Sequence, residues 1–170
     1  MSAGANTAMV NRDLGLLAPK FRDAVQRALQ GCADRGRDAF VYEAYRSTDL
    51  QGLYYARGRT VTPPTDTVTN ARSNLYSWHG FGLAVDVISR THGWDWDDMA
   101  SDVREAERAA WQADVAECFR AAGCRWGGEW KMKDLPHFQW GLCKPSPSDR
   151  ARELMASGGL QAVWTAVAAI

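Results

Sequence analysis

The run Ser77-Trp78-His79-Gly80-Phe81-Gly82-Leu83-Ala84-Val85-Asp86-Val87, answered later by Asp134-Leu135-Pro136-His137-Phe138, constrains this chain more than any other feature. It holds two of the three histidines and two aspartates. His79 and Asp86 are seven positions apart, which on a straight strand is roughly 23 Å. Ligands of one metal lie within about 2.0–2.2 Å of it, so for these side chains to share an ion the chain between them must curl. Gly80 and Gly82 supply that freedom, because glycine tolerates positive φ and close backbone approach. Leu83 to Ile88 then reads as a buried strand with one carboxylate among apolar residues. A buried carboxylate is costly without a partner, so a metal or cation is expected. Two imidazoles and one carboxylate leave a fourth tetrahedral position open, the pattern of catalytic rather than structural zinc. The arrangement is not the His-Glu-x-x-His helix.

Read as Ser77-x-His79-x-x-Gly82-x-Ala84-x-Asp86 with a later Asp134-x-Pro136-His137, the sequence resembles the zinc DD-peptidase family. That family includes VanX- and VanY-type enzymes and phage L-alanyl-D-glutamate endolysins. Further pieces match in order: Tyr45-Arg46-Ser47, Gln51, Leu53-Tyr54, Gly58-Arg59-Thr60, Val68-Thr69-Asn70-Ala71 and Trp126-Gly127-Gly128. The match runs from about Phe21 to Trp140, most of the chain.

The resemblance implies one zinc ion per chain, held by His79, Asp86 and His137, and a peptidoglycan stem peptide as substrate. It places Arg46 where an arginine holds the scissile carbonyl and its oxyanion, and Asp134 where a carboxylate shuttles a proton between the attacking water and the leaving amine. Aspartate at that position leans toward the endopeptidase branch, and Glu129 is the rival base. Gln51, Arg59 and Ser77 fall beside the expected groove as substrate-binding candidates. Arg57, Arg59 and Arg72 outnumber Asp66 around the loop before the motif. Arg59 or Arg72 is therefore a candidate for the D-Glu carboxylate, which suits a planar guanidinium. D-alanyl-D-alanine carboxypeptidase or dipeptidase activity is the alternative on the same scaffold. A silent zinc-containing wall-binding module is the alternative from another class.

Other classes are disfavoured by composition. The 20 basic and 20 acidic residues cancel, which gives no general attraction to nucleic acid or to an anionic membrane. No apolar run reaches the ~20 residues of a spanning helix, so membrane insertion is not expected. Met1 to Val10 has neither a basic nor an apolar signal region, and Cys32, Cys118, Cys124 and Cys143 form no CxxC pair. Free thiols, a monomer made in the bacterial cytoplasm and action on the cell wall after release are the expectations that follow. Asp95, Asp97 and Asp98 lack the order of a calcium loop and read as helix-start carboxylates. His92 reads as a loop residue.

One domain is expected over residues 1–170, of α+β class, with a small, mainly antiparallel sheet flanked by helices. The resemblance implies the same Hedgehog/DD-peptidase-like fold. Helical spacing of Phe21, Val25, Leu29 and Cys32 predicts a helix from Pro19, and Trp111, Val115, Cys118 and Phe119 predict a second between Asp98 and Ala122. Strands are expected at 39–45, 83–88, 124–126 and 137–140. Ser47 should cap a short helix, and Arg59 to Tyr76 should be a long loop. Residues 145–170 should form two short helices, broken at Gly158-Gly159 and docked through Leu160, Val163, Trp164 and Val167.

Overall fold

The computed structural model describes residues 9–60 and 66–167. The small polar start before Met9, the Pro63-Pro64 part of the loop and the last three residues lie outside the described residues. The elements in chain order are α1 (Pro19–Asp34), β1 (Ala39–Glu43), α2 (Thr48–Ala56), β2 (Ala84–Ser89), α3 (Ser101–Ala121), β3 (Cys124–Trp126), β4 (His137–Trp140) and α4 (Asp149–Ala166). The chain divides into two compact units. One comprises Pro19–Tyr42 and Val85–Gly141, the other Met1–Ala18, Glu43–Ala84 and Leu142–Ile170.

The first unit carries the sheet, whose four strands run in the order β1-β2-β4-β3. The sheet is antiparallel and the fold is α+β; β3 pairs with β4 through Cys124↔Trp140, Arg125↔Gln139 and Trp126↔Phe138. Every residue of β2 is buried, as its nearly continuous apolar sequence requires. α1 buries Phe21, Ala24, Val25, Ala28 and Cys32, the i, i+3, i+4 stripe of an amphipathic helix. α3 buries Trp111, Val115, Ala116, Cys118 and Phe119. Phe119 stacks on Phe138 of β4 with ring centroids 4.2 Å apart. Truncating either fully buried ring to alanine should cost about 3–5 kcal/mol.

α3 begins at Ser101 and ends at Ala121, inside the expected range. Asp98 meets His92 Nδ1 at 2.7 Å, and Asp97 takes a hydrogen bond from Arg104. These carboxylates therefore fold a turn before the helix instead of capping it. His92 is the expected loop residue, and its ring also stacks on Trp96 at 4.2 Å.

In the second unit Ser47 caps α2 by accepting from Leu50 N–H. The chain tightens into a 3-10 turn at Trp78–Phe81. Gly82 leaves this turn with φ +65°, and a Cβ there would lie 2.4 Å from the Leu16 carbonyl oxygen. A Cβ on Gly80 would lie 2.1 Å from the Asn74 carbonyl oxygen, so no larger residue fits either place. The stretch labelled α4 holds the two expected C-terminal helices, broken at Gly159 by φ 66°, ψ −162°. Trp164 donates from Nε1 to the Phe81 carbonyl at 2.7 Å, and Trp78 donates to the Lys144 carbonyl at 2.8 Å. The C-terminal segment thus braces the turn that carries His79. Among the described residues no helix is long and apolar enough to cross a membrane.

Candidate metal centre

His79 is held by the short segment that follows β1. Its Nδ1 pairs with the Ala44 carbonyl oxygen at 2.9 Å, and its own carbonyl accepts the Arg46 N–H at 3.1 Å. A carbonyl can only accept, so Nδ1 carries the proton and Nε2 presents the lone pair that a metal uses. This also explains why β1 stops at Glu43 rather than at Tyr45. Ala44 directs its N–H to the Asn11 carbonyl and its carbonyl to His79, so neither group joins the sheet.

Asp86 and His137 come from neighbouring strands, β2 and β4. Asp86 Oδ1 lies 3.6 Å from His137 Nδ1, too long for a hydrogen bond. Two ligand atoms at tetrahedral angles on bonds of about 2.0–2.1 Å stand about 3.4 Å apart, close to this gap. The other His137 nitrogen, Nε2, meets Gln139 Oε1 at 3.1 Å. The amide oxygen accepts, so His137 turns Nδ1 toward Asp86. His79 and His137 thereby use opposite ring nitrogens, each fixed by a partner on the far side. Burial works against the charged form of His137, but the carboxylates of Asp86 and Asp134 outweigh it and raise its pKa above the usual imidazole value.

One ligand atom from each of His79, Asp86 and His137, all three residues buried, lies within 4.8 Å of the others. The donor types and this spread fit a zinc ion with three protein ligands. Asp134 approaches the same place from the β3–β4 connection. It is about half exposed, with Oδ2 4.0 Å from His137 Nδ1. The turn bearing it is pinned at three points: Asp134 N–H to the Gly127 carbonyl at 3.0 Å, His137 N–H to the Asp134 carbonyl at 3.2 Å, and Trp126 Nε1 to the Leu135 carbonyl at 2.7 Å. Trp130 packs against His137, ring centroids 4.9 Å apart. The Glu129 carboxylate is bonded to Arg120.

Arg46 is almost enclosed. Its Nε and one terminal nitrogen donate to the two carboxylate oxygens of Glu43 at 3.0 and 2.8 Å, and the other terminal nitrogen donates to Gln51 Oε1 at 3.0 Å. Gln51 is fully buried and donates onward to the Ala71 carbonyl at 2.7 Å. Gln51 thus links Arg46 to the loop that carries Ala71. Arg59 donates to the carbonyls of Tyr55 and Thr69 and to Asn70 Oδ1, and lies over the Tyr55 ring; it fastens residues 69–70 to α2. Arg72 bonds the Tyr76 hydroxyl and lies over the same ring. Ser77 precedes the His79 turn, and its side chain does not cap it.

Three contributors escape a reading of the sequence: Glu43, Gln139 and Trp130. Gln139 alone left a trace, two positions from His137 and so on the same face of a strand. All four cysteines are buried free thiols. Burial is the main cause that pushes Cys32 and Cys124 up to about 12, the reverse of what a nucleophilic cysteine needs.

A family model described as D-alanyl-D-alanine carboxypeptidase matches residues 70–140, the stretch that includes His79, Asp86, Asp134 and His137. The peptidoglycan L-alanyl-D-glutamate endopeptidase CwlK of Bacillus subtilis (strain 168) is 33% identical over 132 residues, covering 76% of this chain and 75% of that protein. The L-Ala D-Glu endopeptidase ChiX of Serratia marcescens aligns over 82% of this chain and 95% of its own, at 24% identity and a TM-score of 0.47. The LD-carboxypeptidase LdcB aligns over 82% of this chain and 63% of its own, at 15% identity and a TM-score of 0.48. With identity to CwlK extending over three quarters of both chains, and the histidines and aspartates of the motif inside the matched segment, the chain belongs to the zinc DD-peptidase family.

Proposed function

We propose that this chain is a zinc-dependent endopeptidase that hydrolyses the L-alanyl-D-glutamate bond of peptidoglycan stem peptides. The observation that carries the reading is the convergence of His79, Asp86 and His137 to within 4.8 Å, with the Asp134 carboxylate 4.0 Å from His137. A bound zinc ion supplies Lewis acidity and lowers the pKa of water toward neutrality. The other roles fall to side chains of this chain. Asp134, exposed enough to meet a substrate, accepts the proton of the attacking water and returns it to the leaving amine. Arg46 braces the carbonyl oxygen as negative charge develops on it. Trp130 supplies an apolar wall beside His137. Arg59 or Arg72, with Ser77, is the candidate contact for the substrate's polar groups, and Arg59 also shapes the neighbouring loop.

The choice of bond is supported by the activity named for the Bacillus relative and by aspartate at position 134. The family model's description favours a second reading, release of a terminal D-alanine. Digestion of purified muropeptides followed by mass spectrometry separates them. Fragments ending in L-Ala support the first reading; free D-Ala replaces it with the second. Bacteriolytic action of endolysin type, outside the cell that makes the protein, is the finer part of the proposal, and lysis of isolated sacculi tests it. Zinc dependence is tested by metal analysis and by chelation with re-addition. Full hydrolysis by metal-stripped protein would overturn the mechanism.

A further inference from the structure

Glu43 ends β1 on its inward face, where strand alternation calls for an apolar residue. It is 2% exposed, and a carboxylate so enclosed persists only with a partner that answers its charge. Both its oxygens engage one guanidinium, in the side-on, bidentate geometry that fixes an arginine's plane as well as its position. That guanidinium belongs to Arg46, whose backbone N–H is bonded to the carbonyl of His79 at 3.1 Å. A single tetrapeptide, Glu43-Ala44-Tyr45-Arg46, therefore does two things. Ala44 and Arg46 fasten His79 through the main chain, and Glu43 aims the Arg46 side chain. Gln51 Oε1 holds the other terminal nitrogen, and the Tyr54 ring lies 4.8 Å from the guanidinium carbon.

We infer that Glu43 is a positioning residue for hydrolysis: it locks the guanidinium plane of Arg46 so that the side chain is already oriented when the carbonyl oxygen becomes an oxyanion. The inference rests on the role proposed for Arg46. Preorganisation is the source of such a donor's effect, since a group that must turn at the moment of reaction loses much of its advantage. A guanidinium freed to swing by about 1 Å would lower turnover on the order of 10²-fold and leave ground-state binding nearly intact.

The test is a cycle of Glu43→Gln and Arg46→Met, alone and together, on purified muropeptide. Readouts are kcat, KM, zinc content and the urea midpoint. Glu43→Gln keeps the shape of the side chain but not the charge, and the double variant removes both charges in case the single one folds poorly. The expected result is a drop in kcat of roughly 10–100-fold for Glu43→Gln with KM and zinc content near wild type. In the Arg46→Met background the same change should cost less than about twofold, because the two residues act as one unit. Wild-type kcat in Glu43→Gln alongside a strongly impaired Arg46→Met overturns the inference while sparing Arg46. An equal loss from Glu43→Gln in both backgrounds overturns it too. Near-normal turnover in Arg46→Met sinks the reading of Arg46 itself, and the inference with it.

Discussion

Replacing Gln139 by leucine removes one hydrogen bond from the His137 ring and changes little volume. Gln139 is 1% exposed, and its Oε1 stands 3.1 Å from His137 Nε2. A buried N–H deprived of its acceptor costs about 1–3 kcal/mol. The ring can escape that cost by shifting the proton to Nδ1, the nitrogen that faces Asp86. A metal must then displace this proton before it can bind, so the cost reappears in the metal equilibrium. At about 1.4 kcal/mol per factor of ten, and in line with the usual worth of such supporting groups, zinc affinity should fall about 10–100-fold. Competition with a chromophoric chelator at fixed pH measures it directly, without reference to activity. Gln139→Glu retains an acceptor and should keep affinity near or above wild type. If the leucine variant binds zinc as tightly as wild type, Nδ1 is not the ligating nitrogen and the tautomer argument fails.

Asp134→Asn should retain zinc while kcat falls roughly 10²–10⁴-fold; near-normal turnover would move the proton transfer to another group. Glu129→Gln breaks an exposed ion pair with Arg120, so stability should change by under about 1 kcal/mol and peptidase rate should stay near wild type. A large rate loss there would restore Glu129 as the base. Asp38 tests the sheet unit. Burial alone would raise its carboxyl, but hydrogen bonds from Thr91, Ser89 and Trp111 outweigh it and hold the pKa at about 2, below the ordinary 3.8. A depressed pKa stabilises the fold above the unfolded value, so Asp38→Asn should lose on the order of 1 kcal/mol at pH 7, once the shift is discounted for solvent screening of this partly exposed group. The difference should shrink as pH falls from about 4 toward 2, read by urea denaturation across that range. A pH-independent difference would rule out ionisation as the cause.

The local patterns of this sequence determined much. Helical spacing marked α1 and the body of α3, and a short apolar run marked β2. β3 and β4 lie where the residues placed them, 124–126 and 137–140. His79, Asp86, Asp134 and His137 could be named from their motif, because glycines, a buried strand and a proline-stiffened turn are local requirements written in adjacent positions.

Partnerships across the chain were decided only by the tertiary structure. Glu43 looks like an ordinary charged residue in a strand until Arg46 folds back onto it. Glu129, the rival base, has a partner in Arg120 on α3 that its sequence position does not announce. Asp97 and Asp98 looked like helix-start residues, and the structure pairs them with Arg104 and His92 in the turn before Ser101. Which nitrogen each histidine presents depends on Ala44 for one and Gln139 for the other. Periodicity reports which face of an element is buried, because burial follows from the repeat of that element alone. It cannot report which hydrogen-bond partner a buried polar group will find, since that partner is set by distance in space, and the chain between them carries no record of it.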